Sequence, residues 1–436
     1  MYRVLNVIVS IALLLMSVAS AAANVKIQHW QTTNGASVYF VKLTSLPIVD
    51  VRLVFAAGSA YDGKDWGLAA VTNNMIGQGT KTLSADQVAD QFDRVGALFS
   101  GYLDRDMATV SLRSLTNKKY LRPALKTFND VLGHAIFADK AFQRSIRLGQ
   151  TSIKANMQTP DAVAGKTFFK TLYGDEPYGH PVNGTLASLQ NMTLADVSNF
   201  YQHYYVAKNA DIVLVGDLSA SKAKSIAETL SQQLPEGAPA KRFAMMTADA
   251  TGKTVHVEFP SKQTAIVLGQ LGITRQNPHY YALVVGNYIL GGLPMTSLLF
   301  DSVRNKRGLS YSVGSQFDPL RYKGPFAVQL KTRADKTAAT IAVVKKTVDD
   351  FINDGPTTKQ LKDAKNYING SFPLGVTTNK SIAGVVTNIA FYKRPLNYLD
   401  TFLKNINAVT VNDVKNAMQS TLHPKDMILV TVGPKA

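Results

Sequence analysis

Cysteine is absent from all 436 residues, and glutamate nearly so: the chain holds four, Glu176, Glu228, Glu236 and Glu258. Lack of cysteine excludes disulfide staples and thiolate metal sites. The missing glutamate is more telling, since the first 175 residues contain none. Histidine is sparse too. The seven lie at positions 29, 134, 180, 203, 256, 279 and 423. The closest pairs, His180 with His203 and His256 with His279, are 23 residues apart, because 203 − 180 and 279 − 256 both equal 23. No helix can therefore set two imidazoles one turn apart, the arrangement that grips a catalytic zinc. Tryptophan occurs twice, as Trp30 and Trp66, and both read as packing anchors. Beyond the N-terminus every apolar run is broken by polar residues within roughly a dozen positions, too short to span a bilayer.

What is present begins with an export signal. Arg3 precedes the apolar run Val4 to Val18, then Ala19-Ser20-Ala21-Ala22-Ala23, which suits cleavage after Ala21 or Ala23. The mature chain is expected to be periplasmic or secreted from a bacterium, with no membrane span. Hydrophobic content of 46% and charged content of 18% describe a globular chain long enough for two cores. The formal charge of +17 predicts attraction to anionic partners. The lysines and arginines are scattered, and no zinc finger or RNA-binding signature accompanies them, so nucleic acid is not an expected partner.

The chain repeats itself. Met192-Thr193-Leu194-Ala195-Asp196-Val197 returns as Val409-Thr410-Val411-Asn412-Asp413-Val414, and Gly216 returns as Gly433; 410 − 193 and 433 − 216 both equal 217. In each copy a threonine can cap a helix with an aspartate three residues on. A helix, a loop and an apolar strand ending in glycine follow. Register kept through all three argues duplication. Val49 to Gly58 alternates as a half-buried strand before a helix at about 66–76, and Thr264 to Gln270 precedes a helix Tyr280 to Leu290. The expected architecture is α+β: two homologous domains, each a mostly antiparallel sheet with helices packed on one face. We place the signal at 1–23, the first domain at 24–235, a Pro/Gly-rich linker at 236–250 and the second domain at 251–436.

Gly67-Leu68-Ala69-Ala70-Val71-Thr72-Asn73-Asn74-Met75, with Gly77 to Thr80 after it, resembles the metal helix of the pitrilysin/insulinase family of zinc peptidases, Gly-x-Ala-His-x-x-Glu-His-Met. The likeness to that family's mitochondrial-processing-peptidase-like branch continues through Tyr173 to Gly184, where Glu176 replaces a usual histidine. It extends through Ile289 to Gly292, Ser297 to Phe300 and Arg304 to Val313. It implies half of a clam-shell built from a duplication. Ala70, Asn73 and Asn74 occupy the places of the two metal histidines and the glutamate base. Gln150 falls at the third ligand on the helix around Arg144 to Gln150. None of the four supplies a usual zinc ligand, so the chain has no catalytic residue of its own and is expected to bind no metal.

The resemblance also implies that Arg304 and Tyr311, seven positions apart, hold substrate and stabilise an oxyanion. Arg304 would end a helix Thr296 to Lys306, and Tyr311 would start a strand Leu309 to Gln316. The glycine-rich loop of the non-metal mitochondrial subunit is reduced to Gly291 to Met295. Half-length, without a metal helix but with the pair, the chain is expected to be the non-metal subunit of a heterodimeric zinc peptidase. Zinc would lie in a homologous partner, and the substrate would be an unfolded or small peptide; in isolation the chain has room to form a homodimer. The alternative is an inert structural or peptide-binding relic of the same family.

Overall fold

The computed structural model describes residues 25–243 and 251–435; the export signal lies outside the described residues. The first half runs β1 (Ile27–Gln31), β2 (Ser37–Lys42), β3 (Ile48–Phe55), α1 (Leu68–Met75), α2 (Ala85–Asp93), β4 (Leu98–Leu103) and β5 (Ala108–Leu115). Then come α3 (Lys118–Gly133), α4 (Asp139–Met157), α5 (Pro160–Tyr173), α6 (Leu186–Asn191), α7 (Leu194–Tyr204), β6 (Ala210–Gly216) and α8 (Ala220–Gln232). The second half runs β7 (Thr254–Glu258), β8 (Gln263–Leu271), α9 (Tyr280–Asn287), β9 (Val313–Phe317), β10 (Pro325–Arg333), α10 (Thr337–Asp354) and α11 (Thr358–Leu374). It closes with α12 (Asn379–Phe391), α13 (Tyr398–Ala408), α14 (Val411–Thr421) and β11 (Ile428–Gly433).

The two sheets share one topology. Sheet order is β1-β2-β6-β3-β5-β4 in the first half and β7-β11-β8-β10-β9 in the second. In each, the last strand (β6 or β11) inserts parallel to the first core strand and antiparallel to the next. The other pairings are antiparallel. Both threonine caps form: Thr193 and Thr410 each accept from the aspartate amide three residues on, and each aspartate carboxylate accepts from the threonine amide. Duplication thus accounts for five strands of each sheet, with β1 an addition of the first half, in an α+β fold with β4 and β9 as equivalent edge strands.

Each sheet packs its own helices on one face, and its central strands are buried on both, so β3 is not the half-buried strand its sequence suggested. The opposite face is covered by a helix from the other half. Helix α12 carries Ile382, Ala383, Val386, Ile389 and Ala390, all at most 3% exposed, along one stripe. They join one core with Tyr39, Val41, Val54, Val213 and Val215 of the first sheet. Reciprocally, Ala164, Phe168 and Leu172 of α5, at i, i+4 and i+8, pack on Ala265, Val267, Ile428 and Val430 of the second sheet. At about 1.5–3 kcal/mol per large buried side chain, each crossing helix contributes several kcal/mol to holding the halves together.

Polar ties fix both ends of these helices. At the start of α12, Asn379 donates to the Ile48 carbonyl at 3.2 Å and Arg52 donates to the Lys380 carbonyl at 3.1 Å. Past its end, Lys393 pairs with Asp211 at 2.6 Å. Helix α5 is tied by Lys331 to Asp161 at 2.7 Å and by the Tyr173 hydroxyl donating to the Lys323 carbonyl at 2.9 Å.

At the centre sits Asp106, 1% exposed. Its carboxylate accepts from the Tyr178 hydroxyl, from the Tyr392 hydroxyl at 2.9 Å and from the Arg321 backbone amide at 2.8 Å. Burial first, and Asp106 second, push both phenols above their ordinary pKa, so both remain donors. Stranding a buried donor costs roughly 1–3 kcal/mol. Asp106→Ala should therefore lower unfolding free energy by about 3 kcal/mol or more in urea denaturation, and Asp106→Asn by less. A loss below about 1 kcal/mol for the alanine variant would contradict the assigned role.

Candidate functional site

Helix α1 follows β3 through a turn that its own residues fix. Asp62 is fully buried and accepts from the Gly67 and Ala69 amides, each at 2.7 Å. It occupies the positive end of α1, where unpaired N–H groups gather. Burial raises its pKa well above the carboxylate norm, against the pull of those two amides. Gly67 takes φ +92°, and Gly184, at φ +73°, lies so close to Trp66 that a Cβ there would stand 2.2 Å from its carbonyl oxygen. Trp66 stacks on His180 with centroids 5.5 Å apart and planes 6° from parallel. The segment Tyr173 to Gly184 is thus the clamp that seats α1.

The metal-face positions are put to other use. Ala70 is buried and has no donor atom. Asn73 is buried; its amide donates to the Tyr102 carbonyl at 3.2 Å and accepts from the Tyr205 hydroxyl at 3.1 Å. It braces α1 between edge strand β4 and the end of α7. Asn74 is exposed. Gln150 lies on α4, which packs beside α1, and Arg144 of the same helix donates to Gln78 just past α1. Among the described residues no group of three or more His, Cys, Asp or Glu side chains could hold a metal ion. An alanine, a committed amide, an exposed amide and a glutamine do not fit zinc.

Arg304 and Tyr311 come together. The Arg304 guanidinium lies 4.4 Å from the Tyr311 ring centroid and 4.8 Å from that of Phe300. Tyr311 is 83% exposed. Among the described residues neither the guanidinium nor the phenol hydroxyl has a hydrogen-bond partner within the chain. The local structure departs from expectation. Arg304 lies in a wide helical turn, Phe300–Asn305, and the strand begins at Val313, two residues beyond Tyr311. Gly308, at φ +59°, and the bond from the Ser310 hydroxyl to the Ser312 carbonyl (2.7 Å) shape the intervening loop, and β9 runs on as the edge of its sheet. Tyr311 therefore reaches outward from the loop, and Arg304 stacks on it from the preceding helical turn.

Edge strand β4 borders a cleft between the halves. Strand β4 exposes Leu98 (64%) and Tyr102 (59%), and its outer side is unpaired among the described strands. Behind it lies a cavity of about 630 Å³ lined by Arg52, Tyr102, Asp104, Arg275, Asp318 and Lys380, among others. Asp104 accepts from the Asp106 and Met107 amides at 2.8 Å each. Burial outweighs these bonds and lifts its pKa to about 6. The edge strand and the residues Asp62, Asp104 and Asp106 escape sequence reasoning; the spacing of Asp62 five residues before Gly67 was the one available signal.

Asp104 generates a pH dependence. Its folded pKa exceeds the unfolded value, so between about pH 4 and pH 6 the folded chain holds more protons. Stability from this group is full below about pH 4 and falls as pH rises through 6, by roughly 2–3 kcal/mol in total. Asp104→Asn should flatten that part of the pH–stability curve. Asn73→Ala, which strands the buried Tyr205 hydroxyl, should cost about 1–2 kcal/mol in chemical denaturation.

Comparison with known proteins agrees with this reading of the fold. The family described as Insulinase (Peptidase family M16) matches residues 38–186, and the Peptidase M16 inactive domain matches residues 191–368. A crystal structure of a peptidase M16 inactive domain from Pseudomonas fluorescens is 38% identical, with a TM-score of 0.91 over 94% of this chain and 98% of that one. An uncharacterized zinc protease of Bacillus subtilis is 23% identical over 410 residues, 94% of this chain and 98% of its own length. A non-peptidase homolog of Helicobacter pylori is 24% identical over 392 residues, 89% of this chain and 90% of its own. With both halves matched in order and the donor set for zinc missing, this chain belongs to the M16 (insulinase) peptidase family as a member that lacks the metal site.

Proposed function

We propose that the chain is the non-metal subunit of a periplasmic heterodimeric zinc peptidase. A homologous partner would bear the zinc and perform hydrolysis. This chain would supply half of the enclosing chamber and, in trans, the Arg304 guanidinium and Tyr311 hydroxyl. The observation that carries the reading is the pairing of those two groups, the phenol exposed and neither hydrogen-bonded among the described residues, in a chain whose metal helix carries no zinc donors.

The chemistry suits the role. A guanidinium offers fixed N–H donors and permanent charge, and a phenol offers one directional O–H. Aimed at a peptide carbonyl, they would stabilise charge as it develops in the tetrahedral intermediate. Stacking on Phe300 and Tyr311 restrains the arginine without consuming its N–H groups, so little ordering remains to be done when substrate arrives. An unfolded or small peptide would add as a strand to the exposed edge of β4, where backbone bonds make few demands on sequence. The descriptions of two relatives as an inactive domain and a non-peptidase homolog favour a second reading, an inert relic that holds peptide or shape alone.

Reconstitution with a zinc-motif homologue encoded beside this chain separates the two. Under our reading peptide hydrolysis requires both chains. Arg304→Ala or Tyr311→Phe should then lower kcat/KM about 100-fold or more while the heterodimer still forms. Full activity of the partner alone, or of both variant pairs, would establish the relic instead.

A further inference from the structure

The outer layer of the first half holds a feature that neither the edge strands nor the Arg304 pair uses. Helices α3 and α8 lie side by side and leave between them a groove of about 960 Å³. Its walls carry Lys118, Lys119, Arg122 and Lys126 from α3 and Lys222 from α8. Among the described residues none of these five lies within 4.0 Å of a carboxylate. The groove's two acids do not neutralise them: Asp130 faces His134 at 3.6 Å, and Asp217 forms no ion pair among the described residues.

The cations are ordered. Lys118, Arg122 and Lys126 stand at i, i+4 and i+8, a row about 12 Å long on one face of α3. Like charges at that spacing oppose one another by a few tenths of a kcal/mol per pair, a repulsion that an anionic occupant would relieve. Beneath the row the floor is apolar, with Leu121, Ile226 and Leu230 nearly closed off and Leu125 half-exposed. An occupant must bring anions at helical spacing and some apolar surface.

An acidic amphipathic helix brings both. A phospholipid surface offers anions but is flat and does not follow a concave groove. The parts of this chain outside the described residues do not qualify: residues 1–24 hold no acid, and 244–250 hold one, Asp249. A second copy exposes Asp86, Asp90 and Asp93 on α2, but it would also bring its own net charge of +17. We propose that the α3–α8 groove docks an acidic amphipathic helix of a partner protein, its carboxylates lying over Lys118, Arg122 and Lys126. This stands independently of the role assigned to Arg304 and Tyr311.

The test uses the full mature chain and a fluorescein-labelled synthetic helix of about five turns, with glutamate at every fourth position and leucine on the adjacent stripe. Anisotropy is read against a scrambled peptide of equal composition. The designed helix should bind about 10-fold or more tighter than the scramble and weaken as salt rises. Lys118→Gln/Arg122→Gln/Lys126→Gln should remove that advantage with the circular dichroism spectrum unchanged. Lys345→Glu/Lys362→Glu/Lys404→Glu, on the second half, should leave it within about 2-fold. Equal binding of both peptides, or equal sensitivity to the distant triple variant, overturns the proposal. So does phosphatidylglycerol-vesicle binding through these lysines in the absence of peptide binding, or a homodimer that the glutamine variant dissolves.

Discussion

A single carboxylate, that of Asp106, accepts hydrogen bonds from both halves at once, with Tyr178 on one side and Tyr392 and the Arg321 amide on the other. Around that point the halves exchange helices, each sheet being covered on its second face by a helix of the other repeat. The symmetry of the duplication is visible in the packing. Arg105 lies 3.6 Å from the Phe169 ring on α5, and Arg321 lies 4.3 Å from the Phe391 ring on α12. Exchange ties the two halves together through both crossing helices. A surface that completes a chamber with another chain, as proposed, would benefit from that rigidity.

The vacated metal helix has not decayed into an ordinary surface helix. Its start is still capped by Asp62, its entry still turns on Gly67, and Trp66 still stacks on His180. Asn73, where a base would stand, now braces β4 against Tyr205. In this chain the helix holds the edge strand in place. Positioning without metal chemistry accords with the proposed subunit, whose walls and edges would serve a reaction centred elsewhere.

Much of this was legible in the residues. The 217-residue offset fixed the duplication because it held through cap, helix and glycine-ended strand, and the two reciprocal threonine–aspartate boxes form accordingly. The loss of the metal site followed from a census of ligands, which needs no structure. The meeting of Arg304 with Tyr311 was legible from spacing within a motif. Their setting was not: a wide turn and a loop replace the regular helix end and strand start, because Gly308 at positive φ bends the chain before β9. Helix exchange was invisible for a different reason. The apolar stripes of α5 and α12 reveal which face is buried but not which sheet it meets. Asp106, flanked by Arg105 and Met107 in a turn, looks like any exposed loop acid until Tyr178 and Tyr392 converge on it.

What unites these features is a peptidase frame without zinc donors, whose Arg304 and Tyr311 would, under the proposed function, face a site completed by another chain. The most direct check is metal analysis of purified material, read together with hydrolysis of an unstructured peptide. The account predicts no zinc and no turnover for this chain alone, and one zinc per heterodimer with turnover once the partner is added. Stoichiometric zinc and peptide cleavage in the lone, pure chain would contradict it.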